Sequence, residues 1–487
     1  MSANRKSQVV NRKFRAPSLL LSVRHAPSLG GPQPRHRMKK RLTYAVFILS
    51  LSAYVFAGSQ VSRLTAAGDK DDAYQQFELF SRVLERVRKD YVDGDKLTYR
   101  DLVQGALKGM LGTLDPHSEY MEPLKYNELK EDTEGSFSGV GLQVGVRDGE
   151  LIVIAPMEDT PAFEAGIMPG DRIDKIDGQS TERFGMNEAV KVLRGDPGSK
   201  VTLTVYRPAW TEPKEFTLTR TDIRVYSVKD INNRREFPLD ANKLGYVRLT
   251  QFGEKTADEL EEALVKLEAQ GMTGLVMDLR GNPGGLLDQA VAVCEKFLEK
   301  GKPIVSTEGR NASADMRRSS AAFGKKRLTL PMVLLINGGS ASAAEIVTGC
   351  LQDLKRAVVV GEQSFGKGSV QSILPLPDGS ALRLTTAKYY TPSHKVIHEK
   401  GITPDIFVPI TDDEEAAIQL RRLPGGMTNI DEVLRNYDSD KRTRMLELVQ
   451  DNRDAQLERG LDLLKGINLF GQRPAEKQEK AAKAVLR

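Results

Sequence analysis

Two residues in the second half of the chain are of types that together can cleave an amide bond. Ser342 follows an apolar run, 332–336, and a glycine turn, and it stands where a helix is predicted to begin. Lys367 follows a second apolar run, 357–360, within the turn Gly366-Lys367-Gly368. A serine hydroxyl is a weak nucleophile that needs a base, and a neutral lysine can serve as that base. The pair therefore suggests nucleophilic hydrolysis.

The lysine must lose its proton for this chemistry to work near neutral pH. Its ordinary pKa is about 10.4, and burial among glycines and apolar walls lowers the pKa of an amine. Histidine is a weaker alternative, because only His117, His394 and His398 lie beyond the N-terminal segment and no G-x-S-x-G motif surrounds Ser342. Gln371, four residues after Lys367, would reach the amine on a helical backbone or lie near it otherwise.

Backbone donors for a developing oxyanion are available close to this pair. The N–H of Ala343 directly follows the serine, and a second glycine turn holds Gly284 and Gly285. The sequence predicts an oxyanion hole from Ala343 and one of these two glycines, without saying which.

The elements that position these residues alternate between strands and helices. From 225 to 409 the pattern includes strands at 244–249, 274–280 and near 304–305, separated by helices at 257–269 and 287–298. Such alternation predicts an α/β core with a largely parallel sheet, whose strands present glycine turns at their carboxyl ends. Adjacent parallel strands joined by a right-handed crossover would bring Ser342 and Lys367 together.

Two further regions precede the core. Residues 71–131 show helical periodicity, and residues 135–222 have the order of a PDZ domain: a glycine loop, an alternating strand and a later helix. Backbone N–H groups of a glycine turn can hold a carboxylate, and a strand edge can accept a peptide. The predicted peptide-binding positions are Gly139, Val140, Gly141, Leu142, Val144, Met186, Ala189, Val190 and Leu193. The alternative is a packing module without a ligand.

Six ordered motifs within about 71–409 resemble the bacterial C-terminal processing peptidases, also called tail-specific proteases. These motifs are Leu114 to Tyr120, the PDZ segment, Asp278 to Gly285, Ser340 to Ile346, Phe365 to Gln371 and Gly401 to Ile406. The resemblance implies a multidomain α+β serine endopeptidase of the cell envelope with a Ser-Lys dyad and a PDZ domain that captures substrate C-termini. It assigns the nucleophile to Ser342 rather than Ser340, the base to Lys367 and a supporting amide to Gln371. Ala344, where many members have serine, departs from the pattern.

Two competing functions follow from the same residues. The segment from Gly361 to Gly368 is one residue short of a phosphate-binding loop, but Gly368 replaces its magnesium-binding hydroxyl. A non-catalytic PDZ adaptor on a decayed protease core is the second alternative; the joint presence of Ser342, Lys367 and Gln371 argues against it.

Arg194, at the end of the groove helix, is a candidate regulatory residue. We expect it either to report peptide binding to the sheet edge near Gln371 or to act as a cation at a helix C-terminus.

The chain termini and composition predict location and partners. Residues 1–37 form a basic extension typical of disorder, and residues 38–58 have the basic, apolar and small-residue order of a signal peptide or anchor, with 42–58 available for membrane association. Met38 is an alternative start. We therefore expect export to the periplasmic side of a bacterial envelope, soluble or anchored to the inner membrane.

Neither cofactors nor nucleic acid are expected. The net charge of +5 resides mainly at the chain ends, and Cys294 and Cys350 lack the spacing of a metal site. The expected partners are protein substrates with apolar C-termini. Residues 410–487 form a charged helical region that either covers the core or pairs with another subunit, so a homo-oligomer is possible.

Overall fold

The computed structural model describes residues 73–147, 149–157, 159–310, 317–322, 327–422, 430, 434, 438–451 and 453–471. The predicted basic extension and signal segment lie outside these residues. The chain divides into two compact units between Thr98 and Tyr99. The described part of the first unit contains helix α1 (Ala73–Asp90) and a 3-10 turn (Gly94–Lys96). No helix in the described part of the chain is both long and apolar enough to cross a bilayer.

The second unit begins with helix α2 (Tyr99–Gly112), strand β1 (Glu119–Met121) and helix α3 (Pro123–Glu134). The predicted helical region thus contains a strand, and β1 pairs antiparallel with the distant strand β18 (Ala381–Tyr390). Between α2 and β1, the Asp115 carboxylate accepts hydrogen bonds from the backbone N–H groups of His117 and Ser118 at 2.8 and 2.9 Å. This carboxylate holds the Pro-containing turn.

A β-rich module follows, and it has the predicted order of a PDZ domain. Its main sheet has the order β3-β4-β5-β7-β8, so β3 lies at an edge, and β6 pairs with β5. Every second residue of β7 is buried in the core of the module, namely Val201, Leu203 and Val205. This alternation is typical of a strand with one buried face. The elements are β2 (Ser136–Gly139), β3 (Leu142–Arg147), β4 (Glu150–Pro156), α4 (Pro161–Glu164), β5 (Arg172–Ile176), β6 (Gln179–Ser180), α5 (Met186–Leu193), β7 (Lys200–Tyr206), β8 (Lys214–Thr219) and β9 (Thr221–Arg224).

The core contains a six-stranded sheet in the order β10-β11-β12-β15-β16-β19. All neighbours from β11 onward are parallel, and only β10 is antiparallel, which confirms the predicted largely parallel sheet. Strands β12 and β15 are buried along their whole length, which is why each reads as an unbroken apolar run. The strands are β10 (Val228–Lys229), β11 (Leu244–Leu249), β12 (Gly274–Asp278), β15 (Met332–Ile336), β16 (Val358–Gly361) and β19 (Ile406–Phe407).

Helices cover both faces of this sheet. Leu275 and Met277 face helices α6 (Thr256–Ala269), α7 (Leu287–Glu295) and α8 (Ala343–Asp353) in one cluster. Val276 faces the other side, where Leu464 of helix α11 (Ala455–Gly471) is fully buried. Helices α9 (Asp412–Arg421) and α10 (Ser439–Asp451) precede α11. The described part of the C-terminal region, whose packing the sequence left open, therefore covers the core through α11.

A second, antiparallel sheet stands beside the parallel one. It joins β1, β18, β13 (Pro303–Gly309) and β14 (Arg317–Ser320), with β17 (Ser369–Pro375) paired to β18. The strand predicted near 304–305 belongs to this sheet and not to the parallel one. Because β17 begins two residues after Lys367, the lysine turn connects the two sheets.

Candidate active site

Ser342 stands at the sharp connection between β15 and α8. Its φ and ψ angles are 54° and −116°, a combination that a non-glycine residue adopts only under strain. Gly284, from the loop after β12, approaches so closely that a Cβ on it would lie 2.6 Å from the Cβ of Ser342. The connection is thus a strained strand-to-helix turn, and the glycine that crowds it comes from another loop instead of a G-x-S-x-G motif.

Ser340 has a different role in the same connection. Its hydroxyl donates to the carbonyl oxygen of Leu279 at 2.8 Å and accepts the N–H of Asn337 at 3.1 Å. Ser340 is fully buried, so this hydroxyl ties the loop to the end of β12. Ser340 therefore has a structural role in this connection, and the assignment of the nucleophile to Ser342 stays a prediction.

Glu345, in the first turn of α8, joins the two predicted dyad residues. Its Oε2 atom accepts the backbone N–H of Ser342 at 2.8 Å and that of Lys367 at 2.9 Å. Its Oε1 atom accepts the N–H of Gly366 at 2.7 Å and the hydroxyl of Ser364 at 2.6 Å. Burial raises the pKa of this carboxyl, while the four hydrogen bonds oppose the rise. One buried side chain thus fixes both segments.

Sequence reasoning did not assign this role to Glu345. The available signal was its position, three residues after a serine at a helix start, which is the spacing of a capping box. A capping box alone indicates helix initiation, and the bonds to the lysine turn appear only in the folded chain.

Lys367 has an amine suited to losing its proton. Burial, followed by the positive charge of Arg383, lowers the pKa of Lys367 below its ordinary value. Among the residues that the structure describes, no hydrogen bond or ion pair engages its Nζ atom. The turn needs glycine because a Cβ on Gly368 would overlap the backbone of His398. This environment moves the pKa of Lys367 in the direction that the proposed chemistry requires.

Gln371 does not bond to the lysine amine. It lies on β17, where the backbone is extended, so the helical route to Lys367 is absent. Its Nε2 atom donates to the hydroxyls of Ser369 at 2.9 Å and Thr385 at 3.4 Å. The supporting role of Gln371 stays a prediction.

The backbone donors predicted for an oxyanion differ in availability. The N–H of Ala343 has no acceptor among the described residues, as expected at the first position of a helix. The N–H of Gly284 already donates to Asn282 Oδ1 at 2.8 Å. That of Gly285 has no acceptor within the described part of the chain. Gly285 is therefore the glycine of the pair whose donor is free.

Tyr389, on β18, is a neighbour of Ser342 that sequence reasoning missed. Its side chain is 2% exposed, and burial raises the pKa of its hydroxyl. The hydroxyl lies beside Ser342 without a hydrogen bond of normal geometry to any described residue. Because Tyr389 is far from Ser342 in the sequence, no local pattern indicates that the two side chains meet.

The glycine loop of the β-rich module keeps free donors. The backbone N–H groups of Val140 and Gly141 have no acceptor among the described residues. Gly141 has a φ of 77° and lies so close to Thr160 that a Cβ would overlap it. Free N–H groups in such a turn form a nest for a carboxylate.

The predicted groove positions are not equally accessible. Val140, Ala189 and Leu193 are buried in the core of the module, while Leu142, Val144 and Val190 are half-buried. Gly139 ends β2, and Leu142 and Val144 belong to edge strand β3. A peptide on this edge would thus meet mainly the half-buried set.

Arg194 contacts helix α3. Its Nη1 atom donates to Glu131 Oε2 at 2.6 Å, and its guanidinium lies 5.1 Å from the ring of Phe137. None of these contacts reaches Gln371, and coupling through Arg194 stays a prediction.

Comparisons with known proteins agree with this architecture. Residues 243–408 match peptidase family S41, and residues 152–207 match a PDZ domain. A carboxy-terminal-processing protease of Bartonella bacilliformis is 44% identical over 367 residues, which cover 74% of this chain and 80% of that protein. The carboxy-terminal processing protease CtpA of Bacillus subtilis is 36% identical over 375 residues, 76% of each chain.

Solved structures include a photosystem II D1 C-terminal processing protease. It is 29% identical to the chain with a TM-score of 0.38, and the match covers 71% of this chain and 96% of that one.

These relatives place the chain in a class of hydrolases. The chain belongs to peptidase family S41, among the carboxy-terminal processing proteases with a PDZ domain. It is a serine-type peptidase, as the sequence predicted.

Proposed function

We propose that the chain is an endopeptidase that captures the C-terminal tail of a protein substrate and cleaves it through a Ser342–Lys367 dyad. The observation that carries this proposal is the single oxygen of Glu345 that accepts the backbone N–H of both residues. The strained backbone of Ser342 and the lowered pKa of Lys367 support the same assignment.

In the proposed reaction, neutral Lys367 takes the proton of the Ser342 hydroxyl as the oxygen attacks the substrate carbonyl. The N–H groups of Ala343 and Gly285 stabilise the oxyanion that forms. Lys367 then gives the proton to the leaving amine, and an acyl-enzyme remains on Ser342. Water, deprotonated by the same lysine, hydrolyses this ester and restores both side chains.

Substrate capture is proposed for the PDZ module. The free N–H groups of Val140 and Gly141 would bind the terminal carboxylate, and the tail would add to edge strand β3. Apolar contacts from Leu142, Val144 and Val190 favour apolar C-terminal residues.

Cleavage of an unfolded protein with an apolar tail, followed by gel electrophoresis, tests the proposal. The full-length chain should cut this substrate faster than the same protein with a charged tail. Ser342→Ala and Lys367→Ala should each lose at least about 1000-fold in kcat. The matched controls are Ser372→Ala, which removes a half-buried hydroxyl bonded to Thr386, and Lys400→Ala, which removes an exposed amine; both should keep full activity.

Retained cleavage by Ser342→Ala or Lys367→Ala would reject the dyad. Binding of the apolar tail without cleavage by the unmodified chain would support the non-catalytic adaptor instead.

We propose that the chain works on the periplasmic side of the bacterial envelope. The basic, apolar and small-residue order of 38–58 supports this location. Protection from added protease in intact spheroplasts would contradict it.

A further inference from the structure

A cavity of about 1540 Å³ lies between the PDZ module, the first strands of the core and the C-terminal helices. Gln143 and Phe163 line it from the PDZ side, Arg248 from β11 and Leu457 from α11. None of the proposed dyad residues lines this cavity, so its purpose is separate from bond cleavage itself.

The lining of the cavity carries a strong excess of positive charge. Its described residues include six arginines and one lysine but only two carboxylates, Asp159 and Asp454. Asp454 is already paired with Arg280 at 2.8 Å. The buried Asp278 behind the wall is engaged by Arg280 and Arg422 at 2.7 and 2.8 Å. Arg224, Arg234, Arg235 and Arg422 pair with carboxylates outside the lining, namely Glu259, Glu236, Glu262 and Asp278. Arg248 and Arg421 are therefore the lining arginines without an ion pair to a described residue.

Three of these arginines have buried donor atoms without an acceptor. They are Nε of Arg235, Nε of Arg248 and Nη1 of Arg421, and none of these atoms has a hydrogen-bond partner among the described residues. The side chain of Arg248 makes no hydrogen bond or ion pair to any described residue. Burial lowers the pKa of Arg248 and of Arg421, and the charge of Arg422 adds to both effects. Buried donors without acceptors are uncommon in native proteins and call for a ligand or another specific cause.

We propose that this cavity binds an acidic polypeptide segment of the substrate, with carboxylates on Arg235, Arg248 and Arg421. This inference rests on the proposed function, because it adds a second contact for the same substrates. A guanidinium fork matches a carboxylate in shape and charge. The site would select proteins that combine an apolar C-terminus with an acidic stretch elsewhere in the chain.

Two features favour a polypeptide over a small anion. The cavity exceeds the roughly 300–1,000 Å³ typical of small-molecule sites, and Ile231, Ile418 and Leu457 place apolar surface between the arginines. Strand β3 also supplies both Gln143 to the cavity and Leu142 and Val144 to the proposed groove. A polypeptide held on β3 therefore lies next to this charged lining.

Peptide binding by fluorescence anisotropy tests the inference on the full-length Ser342→Ala variant, which leaves peptides intact. Two labelled peptides share one apolar C-terminus and differ only in an upstream run of glutamates or glutamines. The acidic peptide should bind roughly tenfold more tightly, and added salt should remove this advantage. In the same background, Arg248→Gln and Arg421→Gln should each reduce the advantage at least about threefold.

The matched control is Arg459→Gln, on the exposed side of α11 and outside the cavity lining, which should keep the full advantage. Arg421 is the last residue of helix α9, so we expect Arg421→Gln to fold. This variant therefore still tests the inference if Arg248→Gln lowers the stability of the protein.

Equal affinity for the two peptides would overturn the inference. The inference would also fail if Arg459→Gln reduced the advantage of the acidic peptide as much as Arg248→Gln and Arg421→Gln do. Binding of inorganic tripolyphosphate at these arginines without an advantage for the acidic peptide would assign the cavity to phosphate anions and would also overturn it. Failure of the proposed function is separate, because it would appear as lack of cleavage of a neutral, apolar-tailed substrate.

Discussion

At the scale of single residues, Glu345 is the side chain on which the geometry of the dyad most depends. Four donors from two segments converge on its carboxylate, and all four lie within 2.9 Å. An amide of the same shape would turn an NH2 group toward N–H donors and lose part of these bonds. Glu345 therefore acts as a positioning residue for Ser342 and Lys367.

We expect Glu345→Gln to lower kcat by roughly 10- to 100-fold, since hydrogen bonds to a charged group contribute about 1.5–3 kcal/mol each. KM for a tailed peptide should change little, because the predicted groove lies elsewhere. Glu399→Gln, at an exposed carboxylate near the lysine turn, serves as the control. Unchanged kcat in Glu345→Gln would contradict this role.

The pH dependence of activity follows from the pKa of Lys367. Burial and the charge of Arg383 lower this pKa, and only the neutral amine can act as the base. Activity should therefore fall as the pH drops through the pKa of Lys367. Removing the charge of Arg383 lets that pKa rise, so the amine stays protonated to a higher pH.

We expect Arg383→Met to move the acidic limb of the kcat/KM profile to higher pH. Arg383→Lys keeps the charge and should leave the limb near its original place. Arg383 also pairs with Glu119 at 2.6 Å, so thermal melting should accompany the kinetics. A limb that stays fixed or moves to lower pH in Arg383→Met would exclude Lys367 as the titrating base.

The sequence singled out particular residues but not their contacts. The bonds of Ser340 to Leu279 and Asn337 give it a structural role, and the assignment of the nucleophile to Ser342 stays a prediction. The roles of Glu345 and Tyr389 were not predictable, because their partners come from distant segments that meet only through the fold. Gln371 was expected near the amine, but the strand backbone takes its amide to Ser369.

At the scale of elements, the meeting of three loops builds the candidate site. The loop after β12, the turn before α8 and the lysine turn after β16 lie at the carboxyl ends of adjacent parallel strands. The loops approach each other most closely at Gly284. A Cβ on this residue would lie 2.6 Å from the Cβ of Ser342 and 2.9 Å from the backbone nitrogen of Ala343.

We expect Gly284→Ala to lower kcat by at least about 100-fold and to destabilise the fold by about 1–3 kcal/mol, because its φ is 99° and the added methyl would displace Ser342. Gly338→Ala, in the neighbouring turn, meets no atom within 4 Å and should behave like the unmodified chain. Peptide cleavage and urea unfolding measure both effects. Full activity of Gly284→Ala would refute the proposed crowding.

Periodicity predicted the parallel strands but not the second sheet. Buried runs such as Met332–Ile336 indicate a central parallel strand because both faces are apolar. The short apolar pair Ile304-Val305 also indicates a strand, and only the pairing of Pro303–Gly309 with β18 shows that this strand is antiparallel. Strand partners that are far apart in sequence are not encoded in local periodicity.

At the scale of the whole molecule, the C-terminal helix α11 completes the fold of the core. Leu464 is fully buried against the sheet face that carries Val276 and Val333. A Cβ on Gly460 would lie 3.1 Å from Cγ1 of Val333, so the glycine lets the helix pack closely on this face. Near the start of α11, Asp454 pairs with buried Arg280. The region thus stabilises the sheet that carries the candidate site.

We expect Leu464→Ala to lower the free energy of unfolding by about 2–5 kcal/mol, the usual cost of a buried leucine truncation. Leu469→Ala, on the same helix, removes a side chain from a residue that is 69% exposed and should cost less than about 0.5 kcal/mol. Urea denaturation compares the two variants. Equal stability would mean that α11 does not hold the sheet.

The order of the regions was predictable, but their mutual packing was not. The PDZ domain and the peptidase core follow each other as expected, and the family matches cover both. Four arginines of the cavity lie within residues 224–248 and the other two are Arg421 and Arg422, so nothing local in the sequence joins the two groups.

The most direct test of the dyad is to locate the covalent intermediate. The full-length chain is mixed with an activated ester of an apolar tail peptide, quenched in acid and digested for mass spectrometry. We expect one acyl group on Ser342, no adduct in Ser342→Ala and slow acylation in Lys367→Ala that added ethylamine partly restores. An acyl group on another residue, or continued turnover in Ser342→Ala, would contradict the Ser342–Lys367 dyad.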